Sequence, residues 1–178
     1  MNKCVIDITG TIVETTYMHV INRLKELKKE DEIILLINST GGMVSQGFAI
    51  YDILDILPNQ IKTIAVGRCN SIANILFSLG EERYVTANTE YLMHSTRLKY
   101  HENDSINVND AIEMTKTIEH DNKRIIQSIL KSKGIKVTYD VLKEKFDSGE
   151  DHIFTPKEIV DIGIETDVLE DIYDIFKE

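Results

Sequence analysis

The sequence predicts a layered α/β fold, and three features of the chain support that prediction. Strand-like and helix-like stretches alternate along its 178 residues, with short connections between them. Residues 32–38 contain a continuous apolar run, which is typical of a strand covered on both faces of a sheet. No linker or internal repeat divides the sequence, so we expect a single domain over residues 1–178.

Hydrophobic periodicity locates the elements of the first half. Alternating polar and apolar residues indicate strands, whereas apolar residues three and four positions apart indicate helices. Pro58 and Gly80 close the second and third helices, because both residue types are common where a helix stops. In order, the predicted elements are a strand over 4–9, a helix over about 17–27, a strand over 32–38, a helix over about 44–57, a strand over 61–66, a helix over 71–79 and strands over 83–86 and 90–94.

Two helices are predicted in the second half. Residues 95–108 are polar without a clear period, which indicates a loop or an irregular strand. A helix over 110–133 follows, and Asp110 and Glu113 form a capping pattern at its start. Its apolar stripe is thin and its length is about 36 Å, so we expect it to project from the body and pack against a neighbouring subunit. Residues 155–158 (T-P-K-E) are a strong start for a short second helix.

Composition excludes several classes of function. The net charge of −10 argues against nucleic acid and against an anionic membrane surface, because both require a basic patch. The sequence has no apolar run long enough for a transmembrane span and no signal-peptide core. Cys4 and Cys69 make no disulfide framework, which fits a reducing cytoplasm, and no metal-binding motif is present. The sequence therefore predicts a cytoplasmic, metal-free domain.

Three side chains suited to acyl transfer stand at predicted element boundaries. Ser71 opens a helix after a strand and a tight turn, His94 closes a strand, and Asp151 precedes a capped helix. These are the residue types of a nucleophile, a general base and a carboxylate that orients the base. Asp147 and Glu150 are equal candidates for the carboxylate on this reasoning.

Each of these features also has a plain structural interpretation. A serine that opens a helix is usually a cap, and a lone histidine at a strand end is more often structural than catalytic. Gly41 and Gly42 are consistent with a simple turn, but glycines after a buried strand also let backbone approach a ligand closely. On the functional interpretation, the N–H groups of Gly42 and Ile72 bind the oxygen of a substrate carbonyl.

Four segments together carry a resemblance to a known family. They are I-N-S-T-G-G-M-V-S-Q-G-F-A-I-Y-D at 37–52, G-R-C-N-S-I-A-N-I-L at 67–76, Y-L-M-H at 91–94 and D-H-I-F-T-P-K-E-I-V-D-I-G-I at 151–164. With these segments the chain resembles the proteolytic subunit of the Clp (caseinolytic) protease, an ATP-dependent serine peptidase family. The resemblance implies a crotonase-like α/β spiral of ββα units with a projecting handle helix, the handle segment spanning about 95–134.

The resemblance also implies roles for individual residues. It makes Ser71 the nucleophile, His94 the base and Asp151 the third member of the triad, with the Gly42 and Ile72 amides as the oxyanion hole. It implies a serine endopeptidase that hydrolyses polypeptides inside a self-assembled chamber of stacked heptameric rings. No cofactor is implied for this chain, since ATP would be used only by a partner ATPase of the AAA+ unfoldase class.

The chain departs from the family pattern at several positions, and these leave alternatives open. Thr40 replaces a proline before the glycines, Asn74 is unusual on the helix after the nucleophile, and residues 95–97 (S-T-R) replace a Gln-x-Pro-like segment. The alternatives are a catalytically silent ring-scaffold paralogue, a phage-type head-maturation peptidase of the same lineage, a peptidase that works without an ATPase, and a crotonase-type acyl-CoA enzyme.

Overall fold

The strands in the described part of the chain form a seven-stranded sheet. The computed structural model describes residues 2–98, 106–164, 167–171 and 173. The strands are β1 (Lys3–Ile12), β2 (Glu32–Gly42), β3 (Ile61–Asn70), β4 (Glu82–Val85), β5 (Glu90–Met93), β6 (His152–Phe154) and β7 (Asp167–Val168). The helices are α1 (Glu14–Leu24), α2 (Val44–Asp55), α3 (Ala73–Ser78), α4 (Val108–Lys131), α5 (Tyr139–Asp147) and α6 (Pro156–Asp161). The predicted α/β class is confirmed.

The sheet forks at its third strand. Strands β1, β2, β3, β4 and β7 follow one another in parallel. Residues 62–65 of β3 pair with β4, whereas residues 68–70 pair with β5. Strand β6 then pairs antiparallel with β5. The turn that follows Asn70 consequently lies beside β5, at the fork.

The central strand β2 is buried on both faces, as its apolar run predicts. Ile33, Leu35 and Ile37 belong to the main hydrophobic core. Because side chains alternate along a strand, Ile34 points to the opposite face, where it packs with Ile64 in a second cluster. All five side chains have no exposed surface. Because β2 is packed on both faces, the position of its last two residues, Gly41 and Gly42, is fixed.

Helix α4 begins earlier than the sequence suggests. Asn107 is its N-cap: the side-chain oxygen accepts hydrogen bonds from the Asn109 and Asp110 N–H groups at 2.8 and 3.0 Å. The prediction that Asp110 and Glu113 form the cap is therefore wrong, because Asp110 is the third residue of the helix and closes a capping box with Asn107. No helix in the described part of the chain is long and apolar enough to cross a membrane.

The two halves of α4 differ in burial. None of residues 108–120 is buried, and Val108 is 76% exposed. The second half packs Ile125, Ile126 and Ile129 into the main core. The first half therefore extends away from the core, as predicted for a projecting helix. Of the preceding segment predicted as a loop, residues 99–105 lie outside the described residues.

Three elements of the C-terminal third have no counterpart in the sequence prediction. They are α5, β6 and β7. Helix α5 has an N-cap that its sequence could have indicated, because the Thr138 hydroxyl accepts a hydrogen bond from the Val141 N–H at 3.4 Å. Leu142 and Phe146 are buried on one face of this helix. Strands β6 and β7 are only three and two residues long. Such short strands carry too few residues for a period to be detected.

Candidate active site

The turn between β3 and α3 holds Ser71 in an unfavourable backbone conformation. Ser71 has a φ of +58° and is the one non-glycine residue with a positive φ in the described ranges. For a residue with a β-carbon, this left-handed conformation is less favourable than the right-handed one by about 1–2 kcal/mol of free energy. The Ser71 N–H donates to the Leu92 carbonyl oxygen of β5 at 2.8 Å, which holds the turn. Since α3 begins at Ala73, Ser71 lies in the turn before the helix and does not open it as predicted.

The glycine pair at the end of β2 lies directly against this turn. Gly41 has a φ of +82°, and a β-carbon built on it would lie 2.7 Å from Ser71 Cβ and 2.7 Å from the Asn70 carbonyl oxygen. Both distances are far below van der Waals contact, so only glycine permits this approach. The glycine pair is therefore more than a simple turn, because it brings the end of β2 into contact with the serine.

The backbone next to Ser71 offers a hydrogen-bond donor. Ile72 is 1% exposed, and its N–H has no acceptor among the described residues. Buried N–H groups are nearly always paired, so an unused one beside a strained serine is unusual. Such a donor can stabilise a negative charge that develops on a substrate oxygen. Gly42, predicted as the second donor, is the last residue of β2.

His94 uses one ring nitrogen in a local hydrogen bond. It follows β5 directly and is half-buried. Its Nδ1 lies 2.5 Å from the Ser95 carbonyl oxygen. Because a carbonyl oxygen can only accept, Nδ1 is the donor in this contact, and Nε2 has no hydrogen-bond partner among the described residues. No hydrogen bond joins His94 to Ser71 in the described part of the chain.

Strand pairing brings Asp151 across from the histidine. Met93 of β5 pairs with His152 of β6, so the register extended by one residue sets His94 opposite Asp151. Opposed residues of an antiparallel pair have Cβ atoms about 4.5–5.5 Å apart. The Asp151 carboxylate, however, forms an ion pair with the Arg97 guanidinium, and no hydrogen bond links it to His94 within the described ranges. By strand register Asp151 lies across from His94, but no hydrogen bond of a triad joins Ser71, His94 and Asp151 within the described ranges.

An asparagine fixes the segment after the histidine. The Asn122 side-chain oxygen accepts from the Thr96 N–H at 2.8 Å, and its amide group donates to Ser95 Oγ at 2.9 Å. Asn122 lies on α4 and is 7% exposed. Asn122 was not among the residues predicted from the sequence, although it lies on the same helical face as Ile118 and Ile125, where a polar residue interrupts an apolar stripe. Asn122 thereby ties the projecting helix to the candidate base.

A cleft of about 550 Å³ opens beside Gly42, between the end of β2 and the segment that follows His94. It falls within the usual size range of ligand pockets. Its lining is mostly apolar, from Val13, Met43, Val44 and Leu98, with charge from Arg97 and Asp121. The other residues that line it are Thr11, Gly42, Ser45 and Thr96. An extended peptide in this cleft would pass the glycine pair.

Two neighbouring polar groups are unsuited to nucleophilic chemistry. Burial raises the pKa of the Cys69 thiol far above its ordinary value, because desolvation disfavours the thiolate. Burial also raises the pKa of the Tyr91 hydroxyl, so both groups stay neutral. No group of three or more His, Cys, Asp or Glu side chains in the described residues could hold a metal ion. Ser71 thus stays the candidate nucleophile of this site.

A strained serine after a parallel strand, a glycine pair against it and a histidine directly after the adjoining strand are features of an α/β serine hydrolase. Comparison with known proteins makes the class specific. The family model "Clp protease" matches residues 1–171. The chain belongs to the Clp protease family of serine-type peptidases, and its fold is the crotonase-like fold of that family.

Individual relatives agree with this assignment. The ATP-dependent Clp protease proteolytic subunit of Carsonella ruddii is 31% identical over 174 residues, which is 95% of this chain and 85% of the relative. Proteolytic subunit 1 of Leifsonia xyli is 31% identical over 134 residues, 74% of this chain and 64% of the relative. Proteolytic subunit 2 of Tropheryma whipplei is 28% identical over 136 residues, 75% of this chain and 71% of the relative.

Proposed function

We propose that this chain is a serine endopeptidase of the Clp proteolytic-subunit type that uses Ser71, His94 and Asp151. The observation that carries the proposal is the Ser71 turn, where a strained serine, a glycine contact and an unused Ile72 N–H meet. Strain of this kind persists only where the surrounding structure enforces it, and it is concentrated at functional sites.

The proposed reaction follows from the geometry. Ser71 Oγ forms a bond to the substrate carbonyl carbon while its proton moves to Nε2 of His94. The Ile72 and Gly42 amides stabilise the oxyanion, and each such donor is worth about 3 kcal/mol. His94 then gives the proton to the leaving amine as the peptide bond breaks. Water hydrolyses the acyl-enzyme by the same steps, and we assign no cofactor to this chain.

Asp151 is the carboxylate that the strand register favours. It is opposed to His94, whereas Asp147 ends α5 and pairs with Lys143 on the same helix. For Asp151 to accept the Nδ1 proton of His94, its carboxylate has to leave the Arg97 guanidinium and His94 has to release the Ser95 carbonyl oxygen. Side-chain rotation, without rebuilding of the strands, forms the triad.

Replacing Arg97 with glutamine is expected to raise kcat by about 1.5- to 5-fold, because an exposed ion pair holds Asp151 with about 0.2–1 kcal/mol. The measurement is hydrolysis of a fluorogenic peptide, together with the labelling rate of Ser71 by a small fluorophosphonate that does not fill the cleft. Lys133→Gln, which removes the exposed pair with Glu81, is the matched control and should leave both rates unchanged. A lower kcat in Arg97→Gln would show that Arg97 assists the triad.

We propose that the active form is an assembly, with stacked heptameric rings as the expected architecture. The exposed first half of α4 supports this, since Val108 and Ile112 present apolar surface that a neighbouring subunit could cover. Asn122 would then connect such a contact to the segment after His94. The ATPase partner, if used, would be of the AAA+ unfoldase class.

Labelling of the purified protein with a fluorophosphonate, located by mass spectrometry, tests the proposed function. We expect modification at Ser71 alone in native protein and none after heat denaturation, because only the folded site activates the hydroxyl. Light scattering of the same sample gives the assembly state. An assembled ring without labelling would favour a catalytically silent scaffold, which the Arg97–Asp151 pair makes the second candidate.

A further inference from the structure

Helix α3 carries one fully buried amide side chain next to the nucleophile. Asn74 has no exposed surface, and the remaining residues of the helix are buried too; four of them are the apolar Ala73, Ile75, Leu76 and Phe77. Burying an amide without hydrogen bonds costs about 1–3 kcal/mol in proteins. An asparagine in this place therefore requires partners, and their identity indicates what it does.

Both ends of the Asn74 side chain have a partner. Its Nδ2 donates to the Leu92 carbonyl oxygen at 2.8 Å, and its Oδ1 accepts from the Cys69 thiol at 3.7 Å. The thiol can serve as this donor because burial raises its pKa and keeps it protonated. Asn74 thus bridges the end of β3, the first turn of α3 and the strand β5.

The Leu92 carbonyl oxygen is the point where this bridge meets the active site. It accepts two hydrogen bonds, one from the Ser71 N–H at 2.8 Å and one from Asn74. Leu92 lies two residues before His94 on the same chain segment. The Leu92 carbonyl oxygen therefore fixes the position of the Ser71 turn relative to β5, the strand that leads into His94.

We propose that Asn74 is a positioning residue for peptide hydrolysis, which holds the Ser71 turn at the distance from His94 that proton transfer needs. The inference rests on the proposed function. Asn74 touches neither substrate nor the reacting atoms and acts through Leu92. Misplacement of a reacting group by about 1 Å reduces the rate about 100-fold. We therefore expect loss of the Asn74–Leu92 hydrogen bond to lower the reaction rate more than it lowers the stability of the fold.

Three variants test the inference. Asn74→Ala and Asn74→Leu both remove the bridge, and leucine does so without leaving a cavity. Ser78→Ala is the matched control, because Ser78 is equally buried on α3 but, among the described residues, its hydroxyl bonds only to the Ile75 carbonyl oxygen of the same helix. We expect kcat and the labelling rate of Ser71 to fall together by about 10- to 100-fold in both Asn74 variants. The KM should stay within about two-fold, and Ser78→Ala should change neither rate by more than that.

Several results would overturn the inference. Labelling rates in the Asn74 variants equal to those of Ser78→Ala would remove the positioning role while leaving the proposed function intact. Loss of the folded state in both Asn74 variants, with Ser78→Ala folded, would make the role structural. Absence of labelling in the wild-type ring would instead reject the proposed function itself.

Discussion

Replacing Ser71 with alanine is expected to abolish peptide hydrolysis, with kcat lower by about 10⁴- to 10⁶-fold. In the proposed reaction the hydroxyl oxygen forms the acyl bond, and neither the neutral Cys69 thiol nor the Tyr91 hydroxyl can take its place. Alanine keeps the β-carbon, so the backbone strain at φ +58° is retained and the fold should be unchanged. Steady-state hydrolysis of a fluorogenic peptide and the melting temperature measure the two effects.

A double variant sharpens this result. Residues that act as a unit lose activity together, so Ser71→Ala combined with His94→Ala should be no slower than either single variant. Multiplicative losses would mean that His94 acts independently of the serine. Residual hydrolysis above about 1% in Ser71→Ala would show that another group is the nucleophile.

Replacing Gly41 with alanine is expected to lower kcat by about 100-fold. The added β-carbon would lie 2.7 Å from both Ser71 Cβ and the Asn70 carbonyl oxygen, so the nucleophile turn has to shift. The shift displaces the serine oxygen from the Ile72 N–H and from His94. Peptide hydrolysis and fluorophosphonate labelling should fall in parallel.

Gly10→Ala provides the matched control for this prediction. Gly10 has a φ of +79°, close to the +82° of Gly41, but a β-carbon on it would meet nothing within 4 Å. Both variants therefore have similar backbone strain, and only Gly41→Ala adds a steric clash with the Ser71 turn. Equal losses of activity in the two variants would contradict a role for the Gly41–Ser71 contact.

Local pattern was enough to predict most of the fold. The apolar run of β2 and the capping box of Thr155 and Glu158 both occur as predicted, because each depends on residues close in sequence. The start of α4 was misplaced by two residues because Asn107 and Asp110 are both good capping residues, and only the backbone decides between them. Strands as short as β6 have no period that a sequence could reveal.

The details of the site depend on contacts between distant residues. Ser71 and His94 were recognised by their residue types and by the segments around them. The Arg97–Asp151 pair joins residues 54 positions apart, and the Asn122–Thr96 hydrogen bond joins residues 26 apart. Nothing local distinguishes Arg97 or Asn122 from other polar residues until β5, β6 and α4 come together. Asn74 was noticed as unusual, but its partners were beyond the reach of the sequence.

The order of the elements along the chain sets the order in which synthesis completes the candidate site. Only α3 and β4 separate the Ser71 turn from β5, so Ser71 and His94 leave the ribosome within one short stretch. Asp151 comes directly before β6, which follows only after two further helices. On the proposed function, a nascent chain therefore holds the nucleophile and its base well before the carboxylate, and the site is finished only when the last third of the chain has been made.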